Sequence, residues 1–206
     1  MTPRSSGRGR ALFAALSLAG YALFLSPPAV AAEAKLEVKP VTEKKVGELP
    51  TGPLYWHIEN FPSLAQAQAA AGPTSLAAEI AGKAWLFTLG GKGGSTRGGT
   101  EITEIGPIAP ITAPEYLLRV NRADGPPGAK TRVHSHPGSE AFYVLAGRVG
   151  QTTPRGTAYA DAGQTMAGQG PGTPMEVFSA GSTALDQIVL FVVDATKPFS
   201  TAAKLP

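Results

Sequence analysis

Two histidines and one glutamate lie close enough along the chain to form a metal site. His134 and His136 are two residues apart, and Glu140 follows after a Pro-Gly-Ser turn. On a β-strand, residues i and i+2 point to the same face, so both imidazoles can be directed at one place. Two neutral imidazoles and a carboxylate that converge there form a facial metal triad with open positions on its far side. A surface pair of histidines beside a turn is the alternative interpretation.

The residues around this cluster follow a longer pattern. From Gly128 to Gly147 the chain reads G-x5-H-x-H-x3-E-x6-G. This string resembles the first signature motif of the cupin superfamily at every defined position, and the resemblance extends over about residues 115–193. It implies an all-β jelly-roll barrel, the cupin double-stranded β-helix, with a metal inside. It also implies one divalent transition metal (Fe, Mn, Zn, Ni or Cu) with His134, His136 and Glu140 as its ligands.

The second cupin signature is incomplete in this chain. A Gly-Pro-Gly turn at residues 170–172 is recognisable, but Met175 stands where the third histidine is expected. A thioether is a soft ligand that suits Cu(I) better than harder divalent ions. Three interpretations stay open for Met175: a core side chain, which is favoured, a position vacated for water or substrate, and a true metal ligand.

Two further side chains are candidates for the site. Arg132 has the same strand parity as the two clustered histidines and is a candidate for binding a substrate carboxylate. A solvent-facing arginine at the barrel rim is an equal alternative. His57 is the third histidine of the chain and could complete the ligand set. Nothing in its spacing supports that role, so we expect a partly buried structural histidine.

Short strands must position these side chains. Glycine and proline together are frequent, with 25 and 19 residues, which is typical of many turns and an all-β body. An Ala-rich helix is predicted at residues 63–71 and a second short helical turn at 74–81. The glycine-rich stretch 90–99 is predicted to be a mobile loop rather than a phosphate cradle, because it lacks the P-loop order. The predicted strands cover residues 84–89, 101–105, 116–121, 130–136, 141–150, 175–179 and 185–193.

The start of the chain is typical of a secretory signal. Three arginines precede an apolar stretch at residues 11–25, which is too short to cross a bilayer, and small residues follow. We therefore expect export to the periplasm or the medium, with no stable membrane anchor after cleavage. Removal of residues 1–31 leaves equal numbers of acidic and basic side chains, which argues against a nucleic-acid partner. The chain has no cysteine, so disulfides and thiol chemistry are excluded.

The predicted organisation is a signal peptide at residues 1–31, an N-terminal arm with short helices at 32–82, a cupin barrel at 83–198 and a C-terminal tail at 199–206. Residues 32–53 are charged and aperiodic, which predicts a flexible or loosely docked arm. By analogy with single-copy cupin barrels, a homodimer is expected.

Two functional hypotheses follow. The first is a metal-dependent enzyme of the dioxygenase or isomerase type that acts on a small molecule, because three protein ligands suffice for a catalytic metal. The second is a non-catalytic module that binds a small ligand or a metal.

Overall fold

The computed structural model describes Met1 and residues 34–206, so the predicted signal peptide lies almost entirely outside the described residues. Within them the chain forms fourteen β-strands and one short α-helix. In chain order these are β1 Glu37–Val46, β2 Tyr55–Phe61, α1 Leu64–Ala70, β3 Ser75–Ile80, β4 Lys83–Gly90, β5 Thr100–Ile105, β6 Tyr116–Gly125, β7 His134–Ser135, β8 Gly138–Ala146, β9 Arg148–Thr153, β10 Gly156–Asp161, β11 Thr165–Ala167, β12 Glu176–Ser179, β13 Leu185–Asp194 and β14 Thr201–Ala202.

Two antiparallel sheets build a barrel from β1 and from the strands that follow β5. The larger has the order β1-β6-β13-β8-β11 and the smaller the order β10-β9-β12. Strand β8 belongs to the larger sheet, and the next strands, β9 and β10, belong to the smaller one. The chain then returns to the larger sheet for β11, crosses to the smaller sheet for β12, and returns to the larger sheet for β13. This repeated crossing between two sheets is the jelly-roll arrangement. The predicted all-β jelly-roll barrel is confirmed.

Strand β13 runs through the centre of the larger sheet and is buried on both faces. Its Val189, Phe191 and Val193 pack inside the barrel. The intervening Leu190 and Val192 pack on the opposite face of the sheet. Burial on both faces explains why this strand is a continuous apolar run instead of an alternating one.

A second layer covers the outer face of the larger sheet. It is a four-stranded sheet of order β3-β4-β2-β5. Trp56, Trp85 and Phe87 from this sheet share one core with Leu118 and Leu190 of the barrel sheet. The predicted strands at residues 84–89 and 101–105 therefore pair within this covering sheet. The predicted start of the barrel domain, between residues 82 and 83, lies at the connection between β3 and β4 of the same sheet.

One of the two predicted helical segments is confirmed and the other is wrong. Helix α1 begins after Ser63, whose side chain accepts a hydrogen bond from the Gln66 backbone amide. The second segment, 74–81, forms strand β3 and pairs with β4 along its whole length. Pairing with β4 and burial of alternate residues such as Leu76 and Ile80 outweigh the helix propensity of the alanines.

The charged segment after residue 36 is a strand rather than a loosely docked arm. Strand β1 pairs with β6 from Glu37 to Val46. Its charged side chains form ion pairs on the surface, including Glu43 with Arg119 and Lys45 with Glu115.

No helix among residues 34–206 is long and apolar enough to cross a membrane.

Candidate functional site

The histidine cluster lies at β7, just before barrel strand β8. His134 begins β7, which pairs with β14, and on its other side His134 forms an antiparallel bridge with Met175. After the turn, Gly138 starts β8 so close to β13 that an added Cβ would lie 2.1 Å from the Val192 carbonyl oxygen. Strand β8 then directs Glu140 to the barrel interior, together with Phe142 and Val144.

Backbone carbonyls fix the orientation of both imidazoles. Nδ1 of His134 lies 2.8 Å from the Arg132 carbonyl oxygen, and Nδ1 of His136 lies 2.7 Å from that of Phe199. Because a carbonyl oxygen only accepts, each Nδ1 carries the proton and donates it. In the neutral ring the lone pair is then on Nε2, which is the tautomer that can bind a metal. The two rings lie edge to face with centroids 4.9 Å apart.

Glu140 is almost completely buried, with 3% of its surface exposed. Its Oε1 accepts a hydrogen bond of 2.5 Å from Nε2 of Gln151, and its Oε2 lies 4.0 Å from Nε2 of His136. Burial raises the pKa of the Glu140 carboxyl to about 8, while the hydrogen bonds from Gln151 and from the backbone oppose that rise.

His136 is also buried and stays neutral over a wide pH range. Burial lowers the pKa of its imidazole to about 4, against the opposing effect of the hydrogen bond to Phe199. The aromatic rings of Phe191 and Phe199 lie 4.9 and 4.8 Å from the imidazole centroid. Neutral imidazole is the form that a metal requires.

The predicted ligands fit a transition metal in donor type but are not assembled around one point. Among residues 34–206, no three His, Cys, Asp or Glu side chains form a group that could hold a metal ion. His136 lies next to both other predicted ligands. The His134 ring packs against its imidazole, and the Glu140 carboxylate lies near its Nε2. The structure therefore brings the two imidazoles and the carboxyl into one region, and the carboxyl is directed at Gln151.

Met175 lies inside the barrel and is 1% exposed. Its sulfur accepts a hydrogen bond of 3.4 Å from Nε2 of Gln151, the same amide group that donates to Glu140. The burial agrees with the favoured interpretation of Met175 as a core side chain, and its position opposite His134 leaves a role toward a metal open.

Sequence reasoning missed Gln151 and the C-terminal segment. Gln151 lies on β9, is fully buried, and its Oε1 accepts a hydrogen bond of 3.0 Å from Gln169. Its position two residues after Val149 in the same strand was the available signal, since both then face inward. The predicted tail contains β14, and its Phe199 both orients His136 and packs against it.

His57 lies on the covering sheet and takes no part in this cluster within the described residues. Its Nε2 donates to the Gly91 carbonyl oxygen at 2.8 Å, and its Nδ1 lies 3.4 Å from Glu104. It is 4% exposed, so the expected structural histidine is found, more deeply buried than expected.

The glycine-rich segment 91–99 is a loop whose backbone is held by side chains of the covering sheet. The Gly93 amide donates to Glu104, and the Thr96 amide donates to the buried Glu59 at 2.7 Å. The composition predicted mobility, but these hydrogen bonds attach the loop to the sheet at several points. Close packing continues at Gly99, where an added Cβ would lie 2.9 Å from the Phe61 ring.

Replacing Gly99 with Ala should therefore detach the loop. The new methyl group would meet Phe61 and the Glu59 carboxylate, so the loop must move away and lose its hydrogen bond to Glu59. We expect trypsin to cleave after Lys92 or Arg97 several-fold faster in G99A than in the wild type. G91A is the control, since a Cβ at Gly91 meets nothing within 4 Å. Equal cleavage of G99A and wild type would contradict this account of the loop.

A cavity of about 790 Å³ adjoins the two histidines. This volume lies within the range of small-molecule sites. His134, His136 and Arg132 line it, so the predicted substrate-binding arginine and the two imidazoles face one space. Arg132 is exposed to solvent along part of its length, which is compatible with both of its predicted roles.

Comparisons with known proteins find similarity to solved structures only. No family model matches the chain, and no curated protein matches it. Similar solved structures include a cupin-like protein from Thermotoga maritima, with 21% identity, 43% of this chain and 65% of that chain covered, and a TM-score of 0.38. A DMSP lyase from Ruegeria pomeroyi has 17% identity, covers 42% and 43%, and has a TM-score of 0.37. An oxalate decarboxylase from Lactobacillus farciminis, in complex with formate, has 16% identity, covers 41% and 26%, and has a TM-score of 0.36.

The chain spans less than two thirds of the length of each of these three structures. These similarities carry no information about activity.

Proposed function

We propose that this chain, which has a jelly-roll barrel and resembles the cupin superfamily in its first signature motif, binds one divalent transition metal with His134, His136 and Glu140 and acts on a small molecule beside it. The observation that carries the proposal is the hydrogen bond from each histidine Nδ1 to a backbone carbonyl. Such bonds fix the tautomer and the ring orientation in metal-binding histidines.

Each protein group has a defined role in this proposal. His134 and His136 supply neutral nitrogen donors, and Glu140 supplies the negative charge that offsets part of the cation's charge. Gln151 holds the carboxyl through its amide and so limits where Glu140 can turn. When bound, the metal supplies Lewis acidity and open coordination positions for a small molecule. The buried surroundings of His136 and Glu140 keep bulk water away from these groups.

Export and self-association belong to the same proposal. The arginines and the apolar stretch at the start of the sequence support export to the periplasm or the medium. The homodimer is supported only by analogy with other single-copy barrels.

Elemental analysis of the mature protein, purified from the periplasm without chelator, tests the proposal. We expect about one Fe, Mn, Ni, Cu or Zn per chain in the wild type and none in the H134A/H136A variant. The H57A variant is the matched control and should keep its metal, because His57 contacts the loop of the covering sheet. Light scattering on the same preparation measures the number of chains in the assembly. Metal-free wild type, or equal metal in H134A/H136A, would contradict the metal site.

A non-catalytic binding module is the second candidate function. Met175 supports it, because a buried methionine that accepts a hydrogen bond from Gln151 replaces the third imidazole of the cupin signature. With two imidazoles instead of three, the site has less nitrogen ligation for a catalytic metal. Ligand binding without turnover by the metal-loaded protein would distinguish this function from the first.

A further inference from the structure

The cavity next to the two histidines has a distinctive charge. Besides His134 and His136, the described residues that line it include Lys35, Lys130 and Arg132, with Glu176 as the single carboxylate among them. Nζ of Lys130 lies 3.8 Å from that carboxylate, so these two charges offset each other. The other two cations among the described lining residues are Lys35 and Arg132.

These two cations are available to a ligand. Both residues are exposed, and neither side chain forms an ion pair or hydrogen bond with another side chain in the part of the chain that the structure describes. A guanidinium can bind a carboxylate through two parallel hydrogen bonds, and a nearby ammonium adds to the attraction.

Asn121 adds a buried polar group to the cavity wall. It lies on β6, lines the cavity, and is only 3% exposed. Its side-chain oxygen is buried without a hydrogen-bond partner among the described residues. A buried amide oxygen without a partner destabilises a protein, so a ligand group that donates a hydrogen bond to it would be stabilised there.

The rest of the wall is largely apolar. Ala34, Leu36, Val38, Val133 and Phe199 contribute to the lining. A ligand with an apolar body between a charged group and a hydrogen-bonding group would match this distribution of lining side chains.

We propose that this cavity binds a small amphipathic carboxylate that also carries a hydroxyl group. Lys35 and Arg132 hold the carboxylate, the apolar side chains contact the body of the molecule, and Asn121 accepts a hydrogen bond from the hydroxyl. This inference rests on the proposed function, since it names the ligand class of the same site.

The segment just before β1 is therefore part of the binding site. The Leu36 amide donates to the Lys130 carbonyl oxygen at 3.3 Å, and the Lys130 amide donates to that of Ala34 at 3.1 Å. These bonds fix residues 34–36 alongside the segment that leads to His134, and they place Lys35 in the cavity wall. Lys35 was not recognised from sequence because nothing in its charged surroundings distinguishes it.

Binding of three related compounds to chelator-treated protein tests the proposal. The probes are 4-hydroxycinnamate, its methyl ester, which lacks the charge, and cinnamate, which lacks the hydroxyl. By calorimetric titration we expect 4-hydroxycinnamate to bind at least about tenfold more tightly than either of the others. Because the protein carries no metal in this experiment, its result is independent of the metal site.

Variants connect each preference to its residue. K35A and R132A should each weaken binding of 4-hydroxycinnamate about tenfold and leave binding of the ester unchanged. K39A is the matched control, because Lys39 pairs with Glu37 on the surface of β1. N121L should remove the preference for 4-hydroxycinnamate over cinnamate, and it should also raise the melting temperature by a few degrees.

Gln187 provides a matched control for Asn121. It is fully buried on β13, both polar atoms of its amide are without partners among the described residues, and it does not line the cavity. Q187L should therefore raise the melting temperature like N121L and leave all three affinities unchanged.

Several results would overturn the proposal: no binding of any probe at millimolar concentration, equal binding of acid and ester, or an equal effect of N121L and Q187L on affinity. A protein that binds 4-hydroxycinnamate but contains no metal would retain this inference and refute the metal site. A protein that contains metal but binds no probe would do the reverse.

Discussion

Replacing Glu140 with Gln is expected to stabilise the metal-free protein at alkaline pH by several kcal/mol. Burial raises the pKa of this carboxyl from its ordinary value of 4.5 to about 8. Glutamine keeps the size and can still accept the hydrogen bond from Gln151, but it carries no charge to bury. At pH 5 and below, wild type and E140Q should have nearly the same free energy of unfolding.

The sign of this effect follows from proton binding. Between pH 4.5 and 8 the folded state keeps the proton of Glu140 while the unfolded state loses it, so stability falls as pH rises. Above pH 8 the carboxylate is charged in both states and the full penalty is present, at most on the order of 5 kcal/mol. His136 acts in the other direction, because its lowered pKa of about 4 removes stability as pH falls below 6.5.

Urea unfolding in the presence of chelator, measured between pH 4.5 and 9, provides the test. The difference in the free energy of unfolding between E140Q and wild type should grow between pH 4.5 and 8 and level off above pH 8. E79Q is the control, since Glu79 is exposed on β3 and its replacement should change stability by less than about 0.5 kcal/mol. A constant difference between E140Q and wild type across the range would show that the carboxyl is not buried in the metal-free protein.

The sequence was sufficient for the barrel and for the location of the cluster because both depend on local patterns. The two-residue spacing of His134 and His136 predicts that their imidazoles lie on one side of the chain, and their ring centroids are 4.9 Å apart. The alternation from Glu140 through Val144 directs the carboxyl inward. Both features survive in the structure. The i, i+2 rule needs no knowledge of which strands are neighbours.

The features that the sequence did not predict depend on long-range pairing. Strand β3 is rich in alanine, and only its pairing with β4 shows that it is extended. Phe199 reaches His136 across 63 residues of chain. Gln151 shares the strand parity of Val149, but its partners Glu140 and Met175 lie on other strands, so the sequence did not show which groups its amide contacts. Short strands give weak periodicity, so the sheet that each joins is determined by the tertiary fold.

Met175→His is expected to strengthen binding of Mn(II), Fe(II) or Zn(II) by at least about tenfold. The Met175 backbone exchanges hydrogen bonds of 2.9 and 2.8 Å with that of His134, so the two residues lie directly opposite each other. Directly opposite residues of an antiparallel pair point to the same face. An imidazole at position 175 would therefore enter the same region as His134 and restore the nitrogen ligand that the cupin signature contains.

The measurement is a metal titration by calorimetry at neutral pH, with M175L as the matched control. Leucine keeps the volume and the apolar character of the site but supplies no ligand, so M175L should bind metal as the wild type does. Loss of the hydrogen bond from Gln151 occurs in both variants, and any effect of freeing that amide cancels in the comparison. Equal affinity of M175H and M175L would mean that position 175 is directed away from the metal. Weaker binding of copper alone by M175L would instead identify the Met175 thioether as a ligand that selects a soft metal.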